Sequence, residues 1–359
     1  MDKLESLALH VIRQLASAED AITKSLTPQP ISLLFANRTS TVGQRRITFP
    51  RKTHQSSSGS GARELAMLLQ IVNICQDAIS RNVTVTKRDI YYRDVALFKT
   101  QVQVDRLVDD LAATLGVTRA ELHTCASSKG LFSGNLRLKT KDDEIISART
   151  RPALIPVAEL IGEVIPDEDV QFILVIEKEA VFNSLISVDF PNDPRFGKSV
   201  MITGKGYPDL ASRQLLSMLA TNDNSKHIPI LVLVDCDPHG IEILSVYKFG
   251  SQRMAFQAGL AVEKVEWVGV KCSEWERLSI DPRLLLPLTA IDRAKAEQLK
   301  SRKDLPSEWL NELSVLLETG LKAEIQVLLS NHSTQESGNR SFQQDDGLVQ
   351  YLLQKIVFP

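Results

Sequence analysis

Continuous apolar runs in the second half of the chain limit that half to few folds. FILVI spans Phe172 to Ile176 and IPILVLV spans Ile228 to Val234, and shorter runs cover Ser199 to Ile202 and Lys264 to Val270. Strands that are buried on both faces of a sheet are apolar throughout, and segments with helical periodicity separate these runs. Alternation of strand and helix is typical of a parallel sheet covered by helices. We therefore predict an α/β domain.

Acidic residues directly follow two of these predicted strands. Glu177 comes after the first run, and Asp235 and Asp237 come after IPILVLV. Functional residues gather past the C-terminal ends of parallel strands, and three carboxylates at one edge repel each other unless a cation neutralises them. An all-oxygen set favours Mg²⁺, or Mn²⁺ in its place, over zinc. Either acidic motif alone is most often a helix cap, so the metal prediction depends on their occurring together.

The first half of the chain is predicted to be mainly helical. Thr86 is a predicted N-cap, with Asp89 three residues on, before a helix whose apolar face ends at Gly116. LGVTRAEL, Leu115 to Leu122, is predicted to be a helix–turn–helix, and SSKGLFSG, Ser127 to Gly134, a turn into a hairpin wing. Helices followed by a small hairpin suggest a winged-helix domain, which commonly docks on DNA.

Two adjacent tyrosines end the segment KRDIYY, Lys87 to Tyr92. A phenol with a pKa of about 10 is a poor nucleophile until a cation or a base favours the phenolate. Arg88 lies four residues before Tyr92, so on a helix the two side chains would share a face. Tyr91 would point elsewhere and pack. Because tyrosine pairs more often pack at the rim of a core, the residues alone leave both interpretations open.

Charge is distributed unevenly along the chain. Residues 1–151 carry 22 Lys and Arg against 15 Asp and Glu, whereas the remainder carries 20 against 29. A basic half could meet phosphates, and an acidic half could hold cations. The four cysteines lack metal-ligand spacing, and neither a signal peptide nor a membrane-spanning run is evident. We therefore expect a reducing compartment, either cytosol or nucleus.

Further features are predicted outside the two central regions. A basic, Ser/Gly-rich loop is expected over residues 45–61, and a polar tail precedes a short docking helix at Leu348 to Leu353. Lys205, in the turn TGKGYPD, is a weak candidate for a phosphate contact because the spacing of a phosphate-binding loop is absent. An N-terminal apolar stripe could pack on its own domain or dock a partner; it comprises Leu4, Leu7, Val11, Ile12 and Leu15.

Five motifs stand in the order seen in one family. They are KRDIYY at 87–92, ASSKGL at 126–131, VIEK at 175–178, GKGYPD at 204–209 and DCDPHG at 235–240. Over roughly residues 62–290 the chain resembles the meiotic DNA double-strand-break transesterases, eukaryotic relatives of the topoisomerase VI A subunit.

This resemblance implies a multidomain α/β fold. A winged-helix domain carrying the catalytic tyrosine is expected at residues 62–150, and a metal-binding Toprim domain at residues 151–330. Helical extensions are expected on either side, at residues 1–61 and 331–359.

The resemblance also implies site residues and partners. Tyr92 would be the nucleophile, assisted by Arg88, and Glu177, Asp235 and Asp237 would hold Mg²⁺. Attack on DNA would leave a 5′-phosphotyrosyl link. The candidate DNA contacts are Arg88, Lys129 and Arg119 in the basic half, together with Lys205. The implied compartment is the nucleus, and the implied partners there include double-stranded DNA and a second copy of the chain. Two further partners are a topoisomerase VI B-like protein bound to the N-terminal stripe and a candidate WD-repeat protein near residues 340–344.

Three alternatives remain open from the sequence. The nearest is a topoisomerase VI A subunit, which relaxes DNA with an ATPase partner and reseals it. The others are a catalytically silent DNA-binding scaffold and a Toprim hydrolytic nuclease. A covalent protein–DNA adduct that survives denaturation would exclude the last two.

Overall fold

The computed structural model describes residues 2–36, 44–49, 60–125, 128–250, 259–330 and 347–358. These residues form two compact units that divide between Ser127 and Ser128, and each unit has its own hydrophobic core. No helix within these ranges is long and apolar enough to cross a membrane. The predicted partner contact at 340–344 lies outside the described residues.

Unit 1, up to residue 125, is mainly helical. Its helices are α1 (Asp2–Thr23), α2 (Ser60–Ser80), α3 (Lys87–Arg93), α4 (Val95–Phe98) and α5 (Gln101–Leu115). Two small sheets complete it: β1 (Ile31–Ala36) pairs antiparallel with β2 (Gln44–Phe49), and β3 (Val85–Thr86) pairs parallel with β4 (Thr124–Cys125). The predicted loop at 45–61 is therefore partly wrong, because it begins inside β2, where Ile47 is buried in the core.

The caps at the start and end of the tyrosine-bearing region form as predicted. The Thr86 hydroxyl accepts from the Asp89 backbone N–H at 3.0 Å, and the Asp89 carboxylate accepts from the Thr86 N–H. Gly116 ends α5 with a φ of +60°, which glycine adopts without strain. Between them the helix is broken into three, because the Asp94 side chain caps α4 and Lys99 has a φ of +59°.

The predicted helix–turn–helix at Leu115 to Leu122 is wrong. The capping contact forms, with the Glu121 N–H donating to Thr118 Oγ1 at 3.2 Å, but only turns follow it. Few residues separate the end of α5 from β4, and the chain must enter β4 to pair with β3. The segment turns back instead of forming a second helix, with the Thr124 N–H donating to the Arg119 carbonyl at 2.9 Å.

One face of α1 belongs to the core of unit 1. Leu4 and Val11 are only 2% and 0% exposed, whereas Ile12 is 56% and Leu15 43% exposed. The predicted stripe therefore divides into a buried side and an exposed side. Leu4 and Val11, on the buried side, pack on their own unit rather than docking a partner.

We expect Val11→Glu to destabilise the protein by more than about 3 kcal/mol, because an unpaired carboxylate would be buried. Ile12→Glu, on the exposed side of the same helix, is the matched control and should change the free energy of unfolding by less than about 0.5 kcal/mol. Chemical denaturation followed by circular dichroism measures both. Equal effects of the two substitutions would contradict the burial of Val11.

Unit 2, from residue 128, is built around a six-stranded sheet in the order β13-β12-β10-β11-β5-β8. The strands of this sheet are β5 (Leu131–Gly134), β8 (Ala153–Leu154), β10 (Val170–Ile176), β11 (Lys198–Thr203), β12 (Ile230–Leu233) and β13 (Val265–Gly269). The four predicted apolar runs form β13, β12, β10 and β11 and pair in parallel, which confirms a parallel arrangement in this part of the α/β sheet.

The predicted hairpin wing at Ser127 to Gly134 is wrong. Its strand, β5, pairs antiparallel with β11 and so extends the sheet of unit 2. Phe132, fully buried, explains this, since its apolar side chain packs in the core of that unit.

The remaining elements of unit 2 surround the sheet or form small sheets of their own. The strands are β6 (Leu136–Thr140), β7 (Ile145–Ser147) and β9 (Ile161–Pro166), which form one sheet, and β14 (Leu286–Pro287) and β15 (Leu321–Lys322), which form another. The helices are α6 (Glu179–Ser187), α7 (Leu210–Thr221), α8 (Pro238–Phe249), α9 (Ala290–Lys300), α10 (Ser307–Thr319), α11 (Val327–Ser330) and α12 (Gly347–Ile356). In α12, the predicted docking helix, the Tyr351 hydroxyl donates to the Val268 carbonyl at 3.0 Å.

Candidate active site

The two tyrosines of α3 differ in their surroundings, as the sequence predicts. Tyr91 is half-buried, packs against the core of unit 1, and its hydroxyl donates to the Lys99 carbonyl at 3.4 Å. Tyr92 is 61% exposed, and its hydroxyl bonds to none of the described residues. The ring centroids are 5.2 Å apart, so Tyr91 supports the ring of Tyr92 while leaving its hydroxyl free. Of the pair, Tyr92 is the one whose phenol could meet a substrate.

Arg88 lies one helical turn before Tyr92 on α3 and is exposed. It makes no ion pair with any described residue, whereas its neighbour Lys87 is buried and pairs with Asp105 at 3.1 Å. A guanidinium free of protein partners can bind a phosphate through two parallel hydrogen bonds. Arg88 therefore has the charge and accessibility that the predicted role needs.

Arg119 has a structural role, and its prediction as a DNA contact is wrong. The residue is only 4% exposed, and its guanidinium contacts Asp109 Oδ1 at 2.6 and 2.7 Å. Asp109 is itself 7% exposed, so the pair is buried within unit 1.

We expect Arg119→Met to destabilise the protein by about 3–5 kcal/mol, because it leaves the Asp109 carboxylate buried without this partner. Arg81→Met, which removes an exposed ion pair with Asp77, is the control and should cost less than about 1 kcal/mol. Urea denaturation of both variants measures the difference. A stability loss for Arg119→Met as small as that of the control would contradict a structural role.

Three acidic residues of unit 2, Glu177, Asp235 and Asp237, form what we call the carboxylate cluster. Glu177 directly follows β10, and its Oε2 accepts from the Asp235 N–H at 2.9 Å just past β12. Asp237 caps α8, accepting from the Gly240 N–H at 2.7 Å. A Cβ at Gly240 would lie 2.3 Å from the Asp235 carbonyl oxygen, so only glycine permits this turn. The motif DCDPHG thus holds both aspartates beside Glu177.

Electrostatic repulsion in the carboxylate cluster is incompletely relieved. Burial, with the charges of Asp235 and Asp237, raises the pKa of Glu177 to about 8, against the opposing effects of the Asp235 N–H and the Lys178 ammonium. Burial also raises the pKa of Asp235, although Lys178 and the Ile325 N–H oppose it. The cluster thus holds more negative charge than its protein neighbours neutralise.

The carboxylate oxygens of the cluster are ligands that suit a hard divalent cation, but Asp235 is already bonded by other protein groups. Glu177 Oε1 and Asp237 Oδ2 have no hydrogen bond from the described residues, whereas both oxygens of Asp235 are bonded, to Lys178 at 2.8 Å and to the Ile325 N–H at 2.9 Å. Among the described residues no group of three His, Cys, Asp or Glu side chains is arranged to hold a metal ion.

The two remaining predicted DNA contacts lie together in unit 2. Lys129 Nζ donates to the Lys205 carbonyl at 3.0 Å, and Lys205 Nζ lies 2.9 Å from Glu179. Asp209 ties their loops together by accepting from the N–H groups of Lys129 and Gly130. Lys129 falls within residues 62–150, which were predicted to form the winged-helix domain, but the structure places it in unit 2.

Two polar residues of this region, Lys178 and Tyr207, were not predicted from the sequence. Lys178, next to Glu177 in the sequence, bonds Asp235, and its adjacency to the predicted ligand was the available signal. Tyr207 donates to Glu242 and contacts His239 Nδ1 at 3.2 Å, near the start of α8. The Ile325 N–H that binds Asp235 comes from a distant segment and carries no side-chain signal.

Comparison with known proteins gives matches in both units. Residues 63–124 match the family model for type IIB DNA topoisomerase, and residues 172–338 match that for the Toprim domain shared by Spo11 and the A subunit of topoisomerase 6. Similar proteins include the meiotic recombination protein SPO11 of Homo sapiens, 36% identical over 76% of this chain and 69% of that protein. The A subunit of DNA topoisomerase 6 from Arabidopsis thaliana is 34% identical over 76% of this chain and 64% of that protein. The meiotic recombination protein spo-11 of Caenorhabditis elegans is 29% identical over 91% of this chain and 72% of that protein.

Proposed function

Because the chain belongs to the family of Spo11 and the A subunit of topoisomerase 6, we propose that it is a DNA transesterase that makes the double-strand breaks of meiotic recombination. The observation that carries this proposal is the exposed hydroxyl of Tyr92, which bonds to none of the described residues, on the helix that also carries Arg88, which forms no ion pair with any of them. The nucleus is the corresponding compartment, since the substrate is chromosomal DNA. We retain a winged-helix-like fold as a proposal for unit 1, in which α2, α3 and α5 pack together.

In the proposed reaction, Tyr92 attacks a backbone phosphate of DNA. The phenolic oxygen forms a bond to phosphorus and gives up its proton, and the bond from phosphorus to the deoxyribose 3′-oxygen breaks, so that this oxygen leaves and takes up a proton. The product is a 5′-phosphotyrosyl link and a free 3′-hydroxyl. One ester replaces another, so the cleavage step needs no ATP. Arg88 would hold the phosphate and favour the phenolate.

The carboxylate cluster is proposed to hold Mg²⁺, or Mn²⁺ in its place, through Glu177 and Asp237 and, once it is released, Asp235. A divalent cation there would supply positive charge to the phosphate. Lys129 and Lys205 are proposed to contact the DNA backbone from the same unit. One tyrosine cuts one strand, so a double-strand break needs a second copy of the chain, with each site combining the tyrosine of one copy and the cluster of the other.

Partner proteins follow from the family in the same way. A topoisomerase VI B-like protein is proposed to bind the exposed side of α1, which carries Leu9, Ile12 and Leu15. The buried Leu4 and Val11 are excluded from this surface. A WD-repeat protein at residues 340–344 stays a proposal from the resemblance.

The test of the proposed function is recovery of a covalent protein–DNA adduct. A tagged chain is purified under denaturing conditions from meiotic cells, and the attached DNA is end-labelled. We expect DNA joined through its 5′ end, which neither a hydrolytic nuclease nor a silent scaffold produces. The alternative is a topoisomerase 6 A subunit, the kind of protein that the Arabidopsis relative is named as. It predicts instead that the purified chain with an ATPase partner relaxes supercoiled DNA and reseals it.

A further inference from the structure

Lys178 places an ammonium group within the carboxylate cluster. Its Nζ lies 2.8 Å from Asp235 Oδ2 and 3.2 Å from Glu324 Oε2, and it donates to Gln326 Oε1 at 3.0 Å. The side chain is 23% exposed and follows Glu177 directly, at the N-cap of α6. One lysine therefore bridges the cluster and the segment just before α11.

Asp235 is the member of the cluster that Lys178 occupies. Asp235 Oδ1 accepts from the Ile325 N–H, and the Lys178 ammonium contacts Oδ2, so both oxygens of this carboxylate are engaged. Glu177 and Asp237 each keep one oxygen without a hydrogen bond from the described residues. The ammonium thus engages the one carboxylate of the three whose two oxygens are both bonded.

We propose that Lys178 is an internal counter-cation that occupies Asp235 until a divalent cation displaces it toward Glu324 and Gln326. This inference rests on the proposed divalent metal dependence of the cluster. A divalent cation and the ammonium on the same carboxylate would repel each other, so binding of the cation disfavours the contact between Lys178 and Asp235. Because Glu324 and Gln326 already contact the ammonium, displacement leaves it paired and requires no large movement. Lys178 is in this sense a positioning residue that sets the metal affinity.

The arrangement has two opposite consequences. In the absence of metal, the ammonium offsets part of the repulsion among buried carboxylates and so stabilises the cluster. In the presence of metal, the same ammonium competes for Asp235 and weakens the apparent affinity. Glu324 acts in the other direction, because it draws the ammonium away from Asp235 and lies 52% exposed at the edge of the site.

The test is a calorimetric titration of Mn²⁺ into the full chain and its variants, without DNA. We expect Lys178→Gln to bind Mn²⁺ about tenfold more tightly, and Glu324→Gln to bind it more weakly. In the double variant the effect of Glu324→Gln should shrink, because the ammonium through which it acts is gone. Any effect that remains measures the direct attraction between Glu324 and the metal.

Each outcome of the titration has one interpretation. Tighter binding by Lys178→Gln supports the inference, including the case in which only the variant binds. An affinity that is unchanged or weaker in Lys178→Gln, with normal circular dichroism, overturns it while leaving the metal site in place. Absence of binding in both proteins overturns the inference and the proposed metal site together. Glu177→Gln, which should abolish binding, verifies that the titration reports on this cluster.

Discussion

The Tyr92→Phe variant is expected to form no covalent adduct with DNA, a loss limited only by the detection of the assay. The substitution removes a single oxygen atom, and that atom is the only one of the residue able to form the ester. Because Tyr92 is exposed and its hydroxyl bonds to none of the described residues, its removal should leave the stability of unit 1 unchanged within about 0.5 kcal/mol.

Tyr91→Phe is the matched control for this prediction. It removes the adjacent hydroxyl, whose hydrogen bond to the Lys99 carbonyl is long at 3.4 Å, and should leave adduct formation near the wild-type level. Both variants are assayed by denaturing recovery and end-labelling of attached DNA, alongside their melting temperatures. Adducts that persist in Tyr92→Phe and vanish in Tyr91→Phe would exchange the roles of the two residues.

The parallel sheet of unit 2 could be predicted from the sequence because its signal is local. A strand covered on both faces must be apolar at every position, as Phe172 to Ile176 is, and the structure places those residues in β10 with each of them buried. The position of Glu177 just past the strand follows directly, since the carboxyl ends of parallel strands lie at one edge. The adjacency of Glu177 and the two aspartates was therefore predictable.

Features that depend on distant contacts could not be predicted in this way. Thr118 and Glu121 form the local capping contacts of a helix, but no helix follows, because the chain continues into β4, which pairs with β3. The stripe on α1 has helical periodicity whichever side packs, so the sequence could not separate buried Val11 from exposed Ile12. Arg119 is basic like a DNA contact, and only the fold shows that Asp109 lies beside it.

The second large effect is expected for Glu177→Gln, which should change the folding stability in opposite directions with and without metal. Burial and the neighbouring aspartates raise the pKa of Glu177 to about 8, above its ordinary value of 4.5. Between these two pH values the folded protein holds a proton that the unfolded chain has released. The stability of the wild-type protein in a chelator should therefore fall as the pH rises through this window, by at most about 1.4 kcal/mol per pH unit.

Glutamine has no proton to lose there, so Glu177→Gln should lack this decline and be more stable than the wild type at pH 8 in a chelator. With Mg²⁺ present the order should reverse, because a cation that binds only the folded wild type raises its melting temperature by mass action and the variant has lost a ligand. Melting temperatures at pH 5 and pH 8, each with chelator and with Mg²⁺, give the comparison.

Glu179→Gln is the control, since Glu179 pairs with Lys205 at 2.9 Å and has no hydrogen bond to the cluster. A Glu177→Gln variant that follows the wild type under all four conditions would contradict both the repulsion in the cluster and its role as a metal site. If only the decline in the chelator disappears, the cluster is strained by its own charge but does not depend on Glu177 to bind the cation.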